Sequence, residues 1–365
     1  MTRNFSSVEQ LIDRITTQDG VNGAGIAIAV KGEPVFEYIQ GEAAPGVPAS
    51  ADTLWPLASI SKSYTAAAII SLVEEGQLGM WSQPGVVFPD FRGGGREEIR
   101  LRHLLTHTSG LPMGPSNDAE LTASAATLEE RVAHAYTDPL LFPPGTGQSY
   151  SDTGYALAGL MAAQVAGVSF PELIRTRVLE PAGLRDTFLV LPQEHLPRVA
   201  KIAGAPGTET DMESYSSPYG TQLGHPSYSM LATVSDLLRF LLQFDPYTDQ
   251  RFLSKTGIRT MSTDQTGSYH STAEGYPISK WGAGFQLQSG WGSTGLGSRD
   301  SFGHMGGTGT IGWIDPVDAV TVAFVSNQHY SAVPEGLGWK EIAANVAFAA
   351  MTAPVANDQR VGFRA

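Results

Sequence analysis

Hydrophobic and polar positions follow three successive patterns along the chain. Near the N-terminus, "AGIAIAV" at 24–30 and "VFEYIQ" at 35–40 flank a Gly-Pro turn, which predicts a β-hairpin. From about 59 to 244 most segments have helical spacing and are separated by glycine and proline loops. After about 280 strand patterns return and a helical segment follows: "WGAGFQLQ", "SFGHMGG", "TIGWIDP" and "VTVAFVSN", then "WKEIAANVAFAAM".

Strand patterns at both ends and helical patterns between them predict an α+β fold. We expect the two termini to share one sheet, so that residues 1–365 form a single unit with two lobes. The first is an α/β lobe formed by 1–58 and 275–365, and the second is a mainly helical lobe formed by 59–274. A cleft between the two lobes is the expected position of a functional site.

One helical segment, "LASISKSYTAAAIISLV" at 57–73, is apolar on nearly every side after Lys62 and predicts a fully buried helix. Its first turn nevertheless carries Ser59 and Lys62, although burying an ammonium is costly. Residues three apart share one face of a helix, so the two side chains are expected to meet. Because burial disfavours the ammonium form, such a lysine can help to take the proton of a serine. The pair therefore predicts an activated serine.

Composition and charge argue against some classes of binding partner. The formal net charge is -13 and there are only six lysines, which argues against nucleic acid or an anionic membrane surface. The longest apolar stretch, about 64–73, is shorter than the roughly 20 residues of a membrane span. The N-terminus lacks the apolar core of a signal peptide, so we expect a cytoplasmic protein. Cysteine is absent, which excludes disulfides and thiolate chemistry.

Five segments resemble the serine β-lactamase and penicillin-binding protein superfamily in their order and approximate spacing. Within that superfamily, the chain most resembles the branch that contains the class C enzymes, the β-lactamase-like esterases and the D-aminopeptidases. The resemblance runs from about residue 24 to 330 and implies an antiparallel sheet flanked by helices. It also implies that Ser59 is the acylated nucleophile and Lys62 its partner. The segments are "ASISKSYTAAAI", "LRHLLTHTSGLP", "FPPGTGQSYSDTGYALAGL", "EPAGLRDTF" and "SMLATVSDLLRFL".

The second motif of that branch is Tyr-x-Asn, and Tyr150-Ser151-Asp152 stands at the matching position. The resemblance implies that Tyr150 is the general base, its phenolate favoured by the ammonium of Lys62. The alternative is a tyrosine buried in the core. Asp152 departs from the family pattern, because an ionised carboxylate only accepts hydrogen bonds. It can orient Lys62 and hold it charged, but it cannot donate to an amide carbonyl of the substrate, which weakens a β-lactamase assignment.

The third motif is Lys-Thr-Gly or an equivalent with histidine, and it is expected on a strand beside the nucleophile. A literal "KTG" at 255–257 follows Ser254, a plausible helix N-cap, and is therefore rejected. We place the motif at His304-Met305-Gly306, between two strand patterns. Gly306 lets an acyl group approach the strand closely. The oxyanion hole that the resemblance implies consists of the backbone N–H groups of Ser59 and Gly307.

His304 changes the chemistry expected at this motif. Lysine attracts a substrate carboxylate at all working pH values, whereas histidine is mostly neutral near pH 7. Esterases and D-aminopeptidases of the family often have histidine there. The alternative is a histidine that is only paired within the sheet.

Further polar and aromatic residues are weaker candidates. His103 and His107 lack the glutamate of a His-Glu-x-x-His metal motif, so a structural role is favoured and no metal or cofactor is expected. Four residues upstream of "SMLATVSDL" are expected at the mouth of the cleft, with Tyr228 as a substrate-binding residue: Tyr215, Tyr219, His225 and Tyr228.

These residues predict a metal-free serine hydrolase that forms an acyl-enzyme on Ser59, with Lys62 and Tyr150 as catalytic partners. Asp152, His304, Gly306 and Tyr228 are expected to bind a small ester or amide. A carboxylesterase is the first expectation. The alternatives are a D-amino-acid amidase or D-aminopeptidase, a β-lactamase or DD-carboxypeptidase, and an inactive binding homologue. The oligomeric state stays open.

Overall fold

The longer strands lie toward the two ends of the chain, and most of the helices lie between them. The computed structural model describes residues 5–203, 215–249, 251–267, 279–288, 295–329 and 339–352. The α-helices are α1 (Ser6–Thr17), α2 (Ser61–Glu74), α3 (Pro84–Val87), α4 (Leu101–Leu105), α5 (Asp118–Ala123), α6 (Leu128–Ala133), α7 (Asp152–Ala166), α8 (Phe170–Ile174), α9 (Val234–Leu242), α10 (Lys255–Ser262) and α11 (Trp339–Thr352). The strands are β1 (Gly23–Val30), β2 (Glu33–Ala44), β3 (Val47–Pro48), β4 (Trp55–Pro56), β5 (Thr187–Phe188), β6 (Leu231–Ala232), β7 (Gln286–Leu287), β8 (Phe302–Gly306), β9 (Thr310–Asp315) and β10 (Val320–Ser326).

The two ends of the chain meet in one seven-stranded sheet with the order β3-β2-β1-β10-β9-β8-β7. All of its pairings are antiparallel, and Ala24 of β1 lies opposite Ser326 of β10. The hairpin predicted at the N-terminus is formed by β1 and β2, whose turn has positive φ at Lys31 and Gly32. The α+β fold with a sheet from both termini is therefore confirmed.

The two faces of β1 carry side chains of different size. Side chains alternate along a strand, so Ile26 and Ile28 pack with α1 and α11, whereas Ala27 and Ala29 lie in the core cluster on the opposite face. The small alanines let α9 pack against that face, where Val234 and Leu237 belong to the same cluster. Because helices cover both faces, β1 is buried along its whole length.

Helix α2 lies in the core, and its residues from Ser61 to Ile70 are all buried. Tyr64 stacks on Phe240 of α9 with ring centroids 3.6 Å apart. The prediction of a helix buried on every side is confirmed. Its start differs from the expectation, because Ser59 lies in a 3-10 turn (Ala58–Ile60) that leads into the helix. The φ angle of Ala58 is +46°, which prevents the helix from extending toward the N-terminus.

A second sheet, with the order β4-β6-β5, fixes the chain immediately before this turn. The Leu57 N–H donates to the Met230 carbonyl at 2.8 Å, and the Met230 N–H donates to Ser61 Oγ at 2.9 Å. The turn that carries Ser59 is thus held on one side by the chain leading into β6.

Some helices of the protein are apolar in composition, as membrane-spanning helices are. Across the described ranges, no single helix is long and apolar enough to cross a membrane. Helix α7 and the segment Phe170–Leu179, bent by 81° to each other, meet the length and composition of a span only as a pair. Most side chains of α7 are buried within the protein.

Candidate active site

The turn containing Ser59 combines backbone strain with access to solvent. Ala58 has φ in the left-handed region, which costs an L-residue roughly 1–2 kcal/mol. Its carbonyl accepts a hydrogen bond from Ser61 Oγ at 2.6 Å. Ala58 and Ile60 are buried, whereas Ser59 is partly exposed. The hydroxyl of Ser59 is therefore held at the surface of an otherwise buried turn.

Lys62 is fully buried and has three polar neighbours. Lys62 Nζ donates to Ser59 Oγ at 3.2 Å and to the Ser227 carbonyl at 3.3 Å, and it forms an ion pair with Asp152 Oδ1 at 2.5 Å. Burial lowers the pKa of Lys62, and the charge of Asp152 opposes that shift without cancelling it. Lys62 therefore gives up its proton more readily than an exposed lysine.

Tyr150 lies on the loop before α7, with its ring centroid 4.6 Å from Lys62 Nζ. Burial and then the charge of Asp152 raise the pKa of Tyr150 well above its ordinary value, and the neighbouring Ser59 side chain lowers it in part. The expectation was that the ammonium of Lys62 favours the phenolate. In the structure burial and the charge of Asp152 outweigh that ammonium, so Tyr150 is a phenol near neutral pH.

Asp152 is the first residue of α7, where Ser151 caps the helix by accepting the Gly154 N–H at 2.9 Å. A carboxylate in the first turn is stabilised by the helix dipole. The Asp152 side chain is 22% exposed, but its Oδ1, which faces Lys62, is buried. The exposed part of the carboxylate therefore lies on the side away from the lysine.

Strand β8 ends beside the turn of Ser59. Thr308 Oγ1 donates to the Pro56 carbonyl at 2.6 Å and Thr310 Oγ1 to the Leu57 carbonyl at 3.1 Å. A Cβ at Gly306 would collide with the Leu57 carbonyl oxygen, so the close approach requires glycine. The partly exposed Gly307 follows directly, where the oxyanion hole was predicted.

His304 lies on β8 and is 3% exposed, with Nδ1 2.8 Å from the Met305 carbonyl oxygen. Its ring centroid is 6.4 Å from that of Tyr150 and 5.3 Å from that of Trp281. The rejected "KTG" begins α10, and Ser254 Oγ accepts the Gly257 N–H at 3.1 Å as the N-cap. The structure thus brings His304, and not Lys255, to the neighbourhood of Tyr150.

Sequence analysis missed the position of His107. It is fully buried with φ of +61°, and its Nδ1 accepts the Ser151 N–H at 3.0 Å. Its ring stacks on Tyr150 at 4.3 Å and meets Trp281 edge-on at 4.6 Å. Burial, then the charges of Lys62 and His304, lower the pKa of His107 well below its ordinary value. His107 is thus a neutral support beneath Tyr150.

His103 does not join His107 in a metal site. His103 Nδ1 accepts the Arg100 N–H at 3.2 Å, and burial, with Arg102 and Arg100 nearby, lowers its pKa to about 4. Within the described ranges, no group of three or more histidine, aspartate or glutamate side chains is arranged to hold a metal ion.

Three of the four predicted residues at the cleft mouth form an aromatic cluster (Tyr215, His225 and Tyr228). Tyr228 stacks on His225 at 3.9 Å and meets Tyr215 edge-on at 5.3 Å. Burial raises the pKa of Tyr215 and of Tyr228, and the negative charge of Asp152 raises each pKa further. Both hydroxyls are therefore close enough to Asp152 to be affected by its charge. Tyr219 differs, because its hydroxyl accepts from Arg131 Nε at 2.9 Å and donates to the Ala126 carbonyl at 2.6 Å.

A cavity of about 580 Å³, lined in part by Tyr219, lies apart from Ser59, Lys62 and Tyr150. Its lining is mainly apolar and contains none of the Ser59, Lys62 and Tyr150 group. We assign the chemistry to the Ser59 cluster, because a nucleophile, a buried titratable group and a buried phenol converge there.

Comparison with known proteins identifies the family of the chain. The family model described as Beta-lactamase matches residues 8–347. Penicillin-binding protein 4 of Amycolatopsis lactamdurans is 27% identical over 343 residues, which cover 87% of this chain and 84% of the relative.

Two solved structures show the same fold. One is "EstCE1, a hydrolase with promiscuous acyltransferase activity", with a TM-score of 0.80 and 19% identity over 94% of this chain and 98% of that chain. The other is D-amino acid amidase from Ochrobactrum anthropi SV3, with a TM-score of 0.73 and 22% identity over 95% and 97%. The chain therefore belongs to the Beta-lactamase family and is a serine hydrolase of that superfamily.

Proposed function

We propose that the protein is a carboxylesterase that hydrolyses small acyl esters through an acyl-enzyme on Ser59. One observation carries the proposal: Ser59 Oγ lies 3.2 Å from the Nζ of a fully buried lysine, and the Tyr150 ring centroid lies 4.6 Å from the same Nζ. A serine needs a neighbouring base to become nucleophilic, and the lowered pKa of Lys62 provides a neutral fraction able to act as one.

In the first step, neutral Lys62 takes the Ser59 proton while Oγ attacks the ester carbonyl. The oxyanion is held by the backbone N–H groups of Ser59 and Gly307. Tyr150 then donates its proton to the departing alkoxide, which leaves an acyl-enzyme, a phenolate and the Lys62 ammonium. The ammonium, 4.6 Å from the Tyr150 ring, stabilises that phenolate.

In the second step, the Tyr150 phenolate takes a proton from water, and the resulting hydroxide attacks the acyl carbonyl. The bond to Ser59 Oγ breaks, the acid departs, and the Lys62 ammonium returns its proton to Oγ. Both partners regain their starting protonation states. Tyr150 thus acts first as an acid and then as the base, which is the base role that the family resemblance implies.

Two positions favour esters over anionic β-lactam or peptide substrates. The β8 strand presents His304 where most β-lactamases and DD-peptidases of the family have lysine, so a permanent cation for a substrate carboxylate is missing at this position. Asp152 stands where the family has asparagine and repels such a carboxylate. Gly306, His304 and Tyr228 line the acyl site in this proposal.

A D-amino-acid amidase or D-aminopeptidase is the second candidate. It is favoured by the partly exposed carboxylate of Asp152, which suits an amine on the acyl group. The fold likeness to D-amino acid amidase is compatible with it.

A substrate panel tests the proposal. Native protein and Ser59→Ala are assayed with p-nitrophenyl esters, D- and L-aminoacyl p-nitroanilides and a chromogenic cephalosporin. We expect esters to turn over fastest and all turnover to disappear in Ser59→Ala. Faster turnover of the anilides than of the esters would overturn the ester assignment in favour of the amidase.

A further inference from the structure

We propose that the exposed side of the Asp152 carboxylate binds a cationic amine on the acyl part of the substrate. The preferred substrates are then esters of amino-substituted acids, such as α-amino acid esters. This inference rests on the proposed acyl-enzyme at Ser59 and specifies the substrate class of that site.

The ion pair of Lys62 and Asp152 presents only its negative end to the cleft. Lys62 is fully buried, donates to Ser59 Oγ and to the Ser227 carbonyl, and forms an ion pair with Asp152 Oδ1. Because of this burial, the ammonium is closed to a substrate in the cleft. Asp152 is 22% exposed on the opposite side of the pair. A substrate therefore meets an acceptor and a negative charge, although the pair as a whole is neutral.

The carboxylate oxygen that faces the cleft has acceptor capacity to spare. Each carboxylate oxygen accepts about two hydrogen bonds. Ser227 Oγ donates to the main-chain carbonyl of Asp152 at 2.9 Å and leaves the side chain untouched. Among the described residues, none donates a hydrogen bond to Asp152 Oδ2. An incoming ammonium can supply that bond.

The surroundings of Asp152 are suited to a cation. The hydroxyls of Tyr150, Tyr215 and Tyr228 lie within the field of its charge, which contributes to the raised pKa of each. Aromatic faces attract an ammonium. Arg131, a cation whose charge acts on Tyr228, is 4% exposed and pairs with Asp118 Oδ1 at 2.5 Å.

Among the described residues, the buried His107 and His225 add no permanent positive charge to the site. Burial lowers the pKa of His107 and of His225 well below the ordinary value, and the charge of Lys62 adds to both shifts. Both imidazoles are therefore neutral near pH 7. His304 replaces the lysine that the family usually has on the strand.

Two esters of equal shape test the proposal. Alanine p-nitrobenzyl ester carries an ammonium where p-nitrobenzyl isobutyrate carries a methyl group, and the ratio of their kcat/KM values isolates the amine. We expect the native protein to favour the amino ester by about tenfold or more, the effect of one hydrogen bond between charged groups. Asp152→Asn keeps the side-chain shape and is expected to reduce the ratio toward one. Any general effect of this variant on Lys62 changes both substrates and cancels.

A second measurement needs no variant and applies even if Asp152→Asn does not fold. The ratio is followed in the native protein while the pH rises through the pKa of the substrate amine, about 8. We expect the preference to fall as the amine loses its charge. A ratio that is independent of pH, or unchanged in folded Asp152→Asn, would overturn the inference while leaving esterase activity intact. If neither ester is hydrolysed, the proposed function itself fails.

Discussion

Lys62 Nζ lies 2.5 Å from Asp152 Oδ1, and the lysine is fully buried while the aspartate reaches solvent. Removing one partner of such a pair leaves a buried charge without compensation. We expect Asp152→Asn to lower the free energy of unfolding by about 3–5 kcal/mol at neutral pH. Denaturant unfolding of both proteins measures the difference.

The amount by which Asp152→Asn lowers the free energy of unfolding, called the deficit below, is expected to depend on pH. The folded-state pKa of Lys62 already lies below its unfolded value, and loss of Asp152 lowers it further. Between the folded and unfolded pKa values the unfolded chain binds more protons, so stability rises with pH. The deficit should therefore shrink as the pH rises toward the folded pKa of native Lys62.

Asp118→Asn is the matched control for this pH dependence. It removes the partner of the buried Arg131, whose guanidinium does not titrate. Its deficit should stay constant over the same pH range. A constant deficit in Asp152→Asn as well would contradict the titration of Lys62.

Tyr150→Phe is expected to separate the two halves of the reaction. The phenyl ring keeps the stacking on His107, but the proton donor and the later base are lost. A p-nitrophenolate leaves without a proton, so acylation should remain fast and deacylation should fall by about 10²–10⁴-fold. Rapid mixing with p-nitrophenyl acetate should then show a burst of one equivalent.

Tyr155→Phe serves as the control for Tyr150→Phe. Its hydroxyl donates to the Leu105 carbonyl at 2.9 Å, in the same helical region. We expect this variant to keep the steady-state rate without a burst. Equal slowing of acylation and deacylation in Tyr150→Phe would rule out the two-step role assigned to this tyrosine.

His107 is expected to position Tyr150 through its ring and through Nδ1. In His107→Phe the buried Ser151 N–H loses its acceptor, which costs about 1–3 kcal/mol, and φ of +61° is unfavourable for phenylalanine. Asparagine tolerates this backbone conformation and supplies an acceptor, so His107→Asn should be the more stable variant. In both, we expect kcat to fall more than KM changes. The reverse order of stability would contradict the support assigned to Nδ1.

His304→Lys is expected to move the substrate preference toward anions. A permanent cation on β8 attracts a carboxylate, so the ratio of cephalosporin to neutral ester turnover should rise by about tenfold. Asp152→Asn added to it should increase the ratio again, because a repelling charge is removed. His304→Gln introduces no permanent charge and should leave the ratio unchanged. An equal ratio in the native protein, His304→Lys and the double variant would show that these two positions do not select against anions.

Sequence patterns predicted those features of the fold and site that depend on residues close together in the chain. The spacing of Ser59 and Lys62 brings them to 3.2 Å, because the 3-10 turn continues directly into α2. Strand alternation located β8 and therefore His304. The start of α2 was predicted two residues early, because the positive φ of Ala58 leaves no mark in composition.

The sequence patterns did not predict contacts between segments that are distant in the chain. The Ser227 carbonyl, which accepts from Lys62, is 165 residues away in the chain. His107 reaches the Ser151 N–H across 44 residues, and nothing in "LLTHTSGL" indicates which way its ring points. The protonation of Tyr150 also depended on tertiary structure, because burial and Asp152 act on it more strongly than Lys62.

Covalent labelling of Ser59 tests the central claim most directly. Folded protein is treated with a fluorophosphonate, and intact mass and peptide mapping locate the adduct. We predict one adduct, on Ser59, that is absent in Ser59→Ala and retained in Ser63→Ala, because the Ser63 hydroxyl donates to the Gly284 carbonyl at 2.8 Å. An unlabelled Ser59 in folded native protein, or an adduct that persists in Ser59→Ala, would contradict the account.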